Sequence, residues 1–231
     1  AERRLGLAPA AVRRRWRTRG APAALAEVSQ DSEEFQCVAA IFEAAPVEPP
    51  DYVFSTPEQS DFYHVVRVKR VENCGQEEGT VRPYFAALQR SLEEQGLPFE
   101  PGAHTCWAFH GAAPEAVQSI VSDPTTGFQP LTSQRHTAPL WGLGTYFARD
   151  AKYVADGGFC GPRGADGTRQ MLMCLLATGM PCLGDPQHRG VLPFRQRPHR
   201  YNSAVDSLAS PEIYITQHPG AALAAYVVSF A

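Results

Sequence analysis

Trp107-Ala108-Phe109-His110-Gly111 is an apolar run that closes on a histidine and a glycine, and Gly144-Thr145-Tyr146-Phe147-Ala148 follows downstream. A buried strand ending in His-Gly sets a ring nitrogen beside backbone that carries no Cβ, so a flat ligand can approach the peptide there. The second block adds an aromatic lid, Tyr146, preceded by Gly142 and Gly144, where the backbone can turn tightly. Neither block decides anything alone. A single His at a strand end reads equally as a structural histidine, and a single Tyr as a core aromatic.

At 231 residues and 44% hydrophobic content the chain can build one substantial core, with room for a small appended subdomain. The longest apolar stretches, such as Met171 to Ala177, have strand length, so no membrane span is expected. Six cysteines (Cys37, Cys74, Cys106, Cys160, Cys174, Cys182) stand without Cys-x-x-Cys pairing. That pattern argues against a zinc ribbon or a disulfide scaffold and for reduced thiols in a cytoplasmic or nuclear compartment. His104, Cys106 and His110 share one strand but lack a fourth ligand at suitable spacing, so no metal site is expected. Gly-x-Gly-x-x-Gly, Gly-x-x-x-x-Gly-Lys, His-Glu-x-x-His and Gly-x-Ser-x-Gly are absent. A dinucleotide would therefore be held outside a Rossmann fold.

The net charge of −3 hides an asymmetry: the first twenty residues carry seven arginines against Glu2 alone. Such a start reads as a solvated helix, with a nucleic-acid arm or an organelle transit peptide as alternatives. The chain opens on Ala rather than Met, as a piece of a longer protein would. Phe35, Val38, Ala39 and Phe42 fall at i, i+3, i+4 and i+7, which predicts an amphipathic helix over 31–42 that packs on the main body. Prolines from Pro46 to Pro50 then mark an extended connection. A helical extension (1–50) is thus set apart from a main domain (51–231). Within the latter, Tyr63 to Val71 reads as a strand, and Val81, Tyr84, Phe85, Leu88 and Leu92 line a helix that Gly96 can end. A strand over 104–109, a short helix over 114–121 and a long loop over 123–141 follow, the loop having the length of a lid or binding surface. Residues 169–177 read as a buried strand, 179–200 as a Gly- and Pro-rich excursion, and 212–216 and 223–230 as final strands. Strands that succeed one another without crossover helices predict an α+β fold with mostly antiparallel pairing.

With Phe109-His110-Gly111, Gly142-x-Gly144-Thr145-Tyr146-Phe147-Ala148, and Tyr201-Asn202-Ser203-Ala204-Val205-Asp206 ahead of Pro211-Glu212-Ile213-Tyr214, the chain resembles the catalytic domain of the poly(ADP-ribose) polymerase superfamily, the diphtheria-toxin-like ADP-ribosyltransferases. The resemblance runs from about Asp51 to Ala231 and is nearest the mono-ADP-ribosylating members. It implies two packed, mostly antiparallel sheets with flanking helices, and NAD+ as co-substrate with no metal. It also implies transfer of ADP-ribose to protein acceptors, the chain itself among them, with release of nicotinamide. Nucleic acid would enter only through the Arg-rich start, and no membrane is involved. By the same resemblance, His110 bonds the nicotinamide ribose, Gly111 pairs its backbone with the carboxamide, and Tyr146 stacks on the ring. Ala148 lies within the binding motif, and Phe159 forms the second aromatic wall, with Tyr153 as its substitute.

The family's third catalytic position falls on Ile213, and adjacent strand residues face opposite ways, so Ile213 and Glu212 cannot both enter the site. Ile213 there implies loss of chain elongation and hence mono-ADP-ribosylation. A one-residue shift would bring Glu212 inward and restore polymerase chemistry. Val154 stands where the family commonly has a serine that bonds the carboxamide, a loss of about 1 kcal/mol. Leu143 replaces a frequent Lys, and Gln129-Pro130 stands where an Arg often reaches the adenosine. These departures point to the alternative of a weak or silent module that binds NAD or ADP-ribose; hydrolysis of NAD without an acceptor is a third reading.

Overall fold

The computed structural model describes residues 23–44, 63–130, 140–188 and 190–231. The Arg-rich start, the Pro46 to Pro50 connection and the middle of the 123–141 loop lie outside the described residues. Strand β1 (Ala24–Glu27) leads to helix α1 (Glu33–Phe42). Ser32 caps α1 by accepting the Phe35 N–H at 3.1 Å, and Glu33 and Glu34 complement the helix dipole in its first turn. After β2 (Val65–Glu72) come a short turn at Cys74–Gln76, a π-helical turn at Glu77–Val81, and α2 (Arg82–Glu94). Then follow β3 (Thr105–His110), α3 (Pro114–Ser122), β4 (Thr145–Ala148), α4 (Ala151–Asp156) and β5 (Arg169–Ala177). The chain ends with β6 (Pro181–Leu183), β7 (Phe194–Gln196), β8 (His199–Arg200), β9 (Ser203–Val205), β10 (Ile213–Thr216) and β11 (Ala222–Phe230).

The architecture is α+β around a large, mostly antiparallel sheet in the order β1-β2-β11-β5-β3-β4-β10-β9-β6; only β6–β9 is parallel. The expectation of two packed sheets is modified here. Among the described residues nine strands make one hydrogen-bonded order, and the second sheet is the β7–β8 hairpin. What stands in place of a gap between two sheets is a seam: β3 and β4 pair through Phe109 and Ala148 alone. The excursion over 179–200 also carries β6, β7 and β8, strands of two or three residues, too short to leave a period in the sequence.

On one side of the seam β5 and β11 are nine residues each and buried along nearly their whole length. Their near-continuous apolar sequence is what a sheet covered on both faces requires. Helix α1 covers part of that sheet: Phe42 meets Phe109 edge-on at 5.7 Å and Phe230 at 5.3 Å. A polar clamp secures the helix. Arg70 bonds Glu34 at 2.8 Å and Glu72 at 2.7 Å, and the Tyr226 hydroxyl donates to Glu34 at 3.1 Å. Residues 24–42 therefore share one sheet and one core with the chain beyond residue 63.

Candidate functional site

The seam opens immediately after its single rung, and His110 is the next residue. Its Nδ1 lies 2.8 Å from the Tyr146 carbonyl on the facing strand. A carbonyl only accepts, so Nδ1 carries the proton and donates; in the neutral ring Nε2 is then left as an acceptor. The imidazole thus takes over from the ladder at the point where the backbones part. Phe128 meets the ring edge-on at 5.3 Å and Phe147 lies at 5.4 Å. Burial among these groups pushes the imidazole below its ordinary value of 6.5, against the opposing pull of the Tyr146 carbonyl. At neutral pH His110 is a fixed, neutral acceptor.

Phe128 is itself held from below. The Asn73 side-chain amide donates to the carbonyls of Val121 (3.0 Å) and Asp123 (2.7 Å), and the Gln76 amide to those of Ile120 (2.7 Å) and Asp123 (2.6 Å). The Asp123 carboxylate accepts the N–H groups of Thr126 at 3.0 Å and Thr125 at 2.7 Å. Those bonds hold its pKa down to about 2. The start of the long loop is therefore a built structure that delivers Phe128 to the histidine.

Gly111 follows His110 and lies past the last β3–β5 rung, His110 with Leu172. A Cβ at Gly111 would fall 2.6 Å from Cγ1 of Val154 and 2.8 Å from the backbone and Cβ of Phe159, so no other residue fits. Val154, on α4, is buried and gives this spot an apolar wall without a hydroxyl. Tyr146 is fixed through its own hydroxyl, which donates to the Gly142 carbonyl at 2.7 Å and accepts the Trp141 N–H at 3.0 Å. With both capacities engaged, Tyr146 offers a ring face rather than a free acid or base. Gly144 makes the turn at φ 153°, where a Cβ would fall 2.5 Å from Ile215. Tyr153 and Phe159 lie 5.6 Å apart with rings inclined at 31°, and Phe159 is 48% exposed on the rim. Burial, together with the carboxylates of Asp206 and Glu212, raises the Tyr153 hydroxyl and keeps it protonated.

Ile213 pairs with Ala148, and Ile215 with Tyr146, which puts these four on one face of the sheet. Ile213 is buried in the apolar cluster that contains Ala148 and Val154 and packs against Tyr146 and Tyr153. Glu212, one residue earlier, is engaged by Arg149. Its carboxylate is 3.5 Å from Arg149, and its carbonyl accepts the Arg149 N–H at 2.8 Å. Arg149 also donates to Ser210 and the Pro211 carbonyl, each at 3.2 Å, and pairs with Asp150 at 3.0 Å. Asp206 Oδ1 accepts the N–H groups of Ser207, Glu212 and Ile213 at 2.9, 3.0 and 3.0 Å. Gln217 bonds the Leu143 and Gly190 carbonyls and the Leu192 N–H, each at 3.0 Å. Sequence reasoning missed Arg149 and Gln217 and gave Asp206 no separate role. An Asp at a strand end ahead of a Ser- and Pro-containing turn was the available signal.

No family model matches this chain, and no curated protein matches it. The site is therefore read from its own chemistry. His110, Gly111, Tyr146, Val154 and Phe159 meet at the seam, and Ala148, Tyr153 and Ile213 join them through the apolar cluster beneath. Among the described residues no group of His, Cys, Asp and Glu could hold a metal ion, and no helix is long and apolar enough to cross a membrane.

Proposed function

We propose that the chain is an NAD+-dependent mono-ADP-ribosyltransferase that transfers ADP-ribose to protein side chains and releases nicotinamide. The observation that carries this reading is the seam itself: a neutral imidazole locked as an acceptor, next to a glycine that no other residue can replace, bonded to the backbone of a tyrosine whose ring is held by its hydroxyl. These residues fit the nicotinamide end of NAD+. Gly111 would face the carboxamide with backbone outside the ladder, Tyr146 would cover the ring, and His110 Nε2 would accept from a ribose hydroxyl. Tyr153 and Phe159 would form the outer wall. In this reading the finer fold assignment is the ADP-ribosyltransferase fold, with the seam as its substrate cleft.

NAD+, when bound, supplies a nicotinamide–ribose bond whose cleavage develops oxocarbenium character. The protein's share is to hold leaving group and sugar in place, which accelerates such a reaction more than a strong base would. His110 fixes the sugar by accepting a hydrogen bond and stays uncharged beside a developing cation. The apolar Ile213 offers no carboxylate to activate an incoming ADP-ribose hydroxyl, while the Glu212 carboxylate is engaged with Arg149. That supports attachment of single units rather than chains. A second reading, a module that binds NAD or ADP-ribose with little turnover, is favoured by one observation: Val154 fills the Gly111 wall with methyl groups.

Incubation of the chain with tagged NAD+ and candidate acceptors, beside a His110→Ala variant, tests the proposal. Label on protein and free nicotinamide are expected from the unaltered chain, with a loss of at least tenfold in the variant. Binding of NAD+ without release of nicotinamide would establish the second reading.

A further inference from the structure

Four arginines that fasten the fold meet carboxylates, Arg67 at Asp166, Arg70 at Glu34, Arg82 at Glu77 and Arg149 at Asp150, while Arg169 lies over the rings of Tyr63 and Phe230 and donates to the Ala155 carbonyl at 2.9 Å. The β7–β8 hairpin is built differently. Residues 186–205 contain four arginines and no Asp or Glu, in a chain whose residues after the first twenty carry −9 overall. Three of the four, Arg195, Arg197 and Arg200, are among the described residues. None of these three pairs with a carboxylate among the described residues. Arg195 donates to the Gln95 side chain at 2.7 Å and Arg200 to the Leu192 carbonyl at 2.7 Å. On the neighbouring helix α2, Ser91 faces His199 at 3.3 Å, and among the described residues neither Glu93 nor Glu94 forms an ion pair with the hairpin arginines.

The hairpin also carries an aromatic. Phe194 is 40% exposed, with the Arg200 guanidinium 3.8 Å and the Arg197 guanidinium 5.0 Å from its ring centre. Both arginines are themselves exposed. Like charges gathered on two short strands repel one another, and beyond the neutral partners Gln95, the Leu192 carbonyl and Phe194 no carboxylate among the described residues offsets them, so the patch is suited to an anion outside the fold. An acidic peptide would satisfy the charges alone. A single-stranded nucleic acid satisfies both features, with phosphates on the cations and bases on the flat guanidinium and phenyl faces. We propose that the β7–β8 hairpin is a docking surface for single-stranded nucleic acid. The base of the hairpin is tied to the site: Leu192 bonds Gln217, which bonds the Leu143 carbonyl three residues before Tyr146. This surface is separate from the Arg-rich first twenty residues, and the proposal stands whether or not the site transfers ADP-ribose.

Fluorescence anisotropy of the full chain with a short labelled single-stranded RNA, across a salt series, tests it. Binding should weaken with salt, and Arg197→Gln with Arg200→Gln should reduce the log–log slope by about 1.4, two phosphates' worth. Phe194→Ala should weaken binding roughly tenfold with little change of slope. Arg197→Lys with Arg200→Lys should keep the slope and lose the preference for single strands over duplex. All three effects should persist when the seven arginines of residues 1–20 are changed to Gln. No RNA binding at low salt would overturn the proposal, as would binding that depends on those seven arginines and not on the hairpin. Poly-glutamate binding more tightly than RNA would instead assign the hairpin to an acidic protein partner.

Discussion

The two sides of the seam share one apolar core and differ in the length of their ladders. From β2 through β11 and β5 to β3 the sheet consists of longer ladders, with Met171, Leu172, Met173, Leu176, Tyr226 and Phe230 essentially inaccessible to solvent. From β4 to β6 the strands are three or four residues long, and side chains hold them where ladders cannot: Asp206 and Arg149 at the start of β10, Gln217 beyond its end. A platform of long ladders thus faces a smaller half, buried at Phe147, Ile213 and Ile215, whose short strands depend in addition on side-chain hydrogen bonds, and His110 spans the two. The difference teaches where a site can sit. Rigid walls come from packing, while the facing residues are set by polar contacts that single substitutions can release.

The largest expected effect comes from breaking the platform. Phe109→Ala removes a ring that is 1% exposed and sits in the only β3–β4 rung. It should cost about 3–5 kcal/mol in denaturant unfolding. A change below about 1 kcal/mol would mean that packing does not anchor this side. Asp206→Ala attacks the other half by orphaning three backbone N–H groups, at about 2–3 kcal/mol. Hydrogen exchange should quicken at Glu212 and Ile213 while β5 and β11 stay protected; uniform acceleration would dissolve the distinction between the halves.

Acid probes the link between them. Folding holds the His110 imidazole below 6.5, so as pH falls the unfolded chain takes up the proton first. This contribution to stability is complete above 6.5 and is lost as pH drops through the folded value. Binding of NAD+ should fall as pH drops through the folded value, because a protonated Nε2 cannot accept; binding that strengthens with acid would contradict the assigned tautomer. The smallest effect is expected from Val154→Ser, which returns a hydroxyl to the wall behind Gly111. Nicotinamide affinity should rise several-fold, about 1 kcal/mol, in a calorimetric titration.

Much of the platform was legible in the sequence because burial writes periodicity. The run from Met171 to Ala177, the spacing of Phe35 to Phe42 and that of Val81 to Leu92 each match an element of the structure. The pairing of the His110 and Tyr146 blocks was also legible, His110 closing an apolar strand ahead of Gly111 and Tyr146 opening one behind Gly144. The other half was not. Arg149 acts on residues 210–212, and Gln217 on 143, 190 and 192, so their partners are remote in sequence and leave no local pattern. The single rung at Phe109 and Ala148 likewise depends on where β4 stops, which composition does not record.

Product length tests the central claim most directly. Mass spectrometry of an acceptor incubated to completion with NAD+ and the full chain should find single ADP-ribose units at each modified residue, in the same yield with Glu212→Ala and lost with His110→Ala. Polymers that disappear in Glu212→Ala would contradict the account, because the carboxylate held by Arg149 would then be acting in the site in place of Ile213.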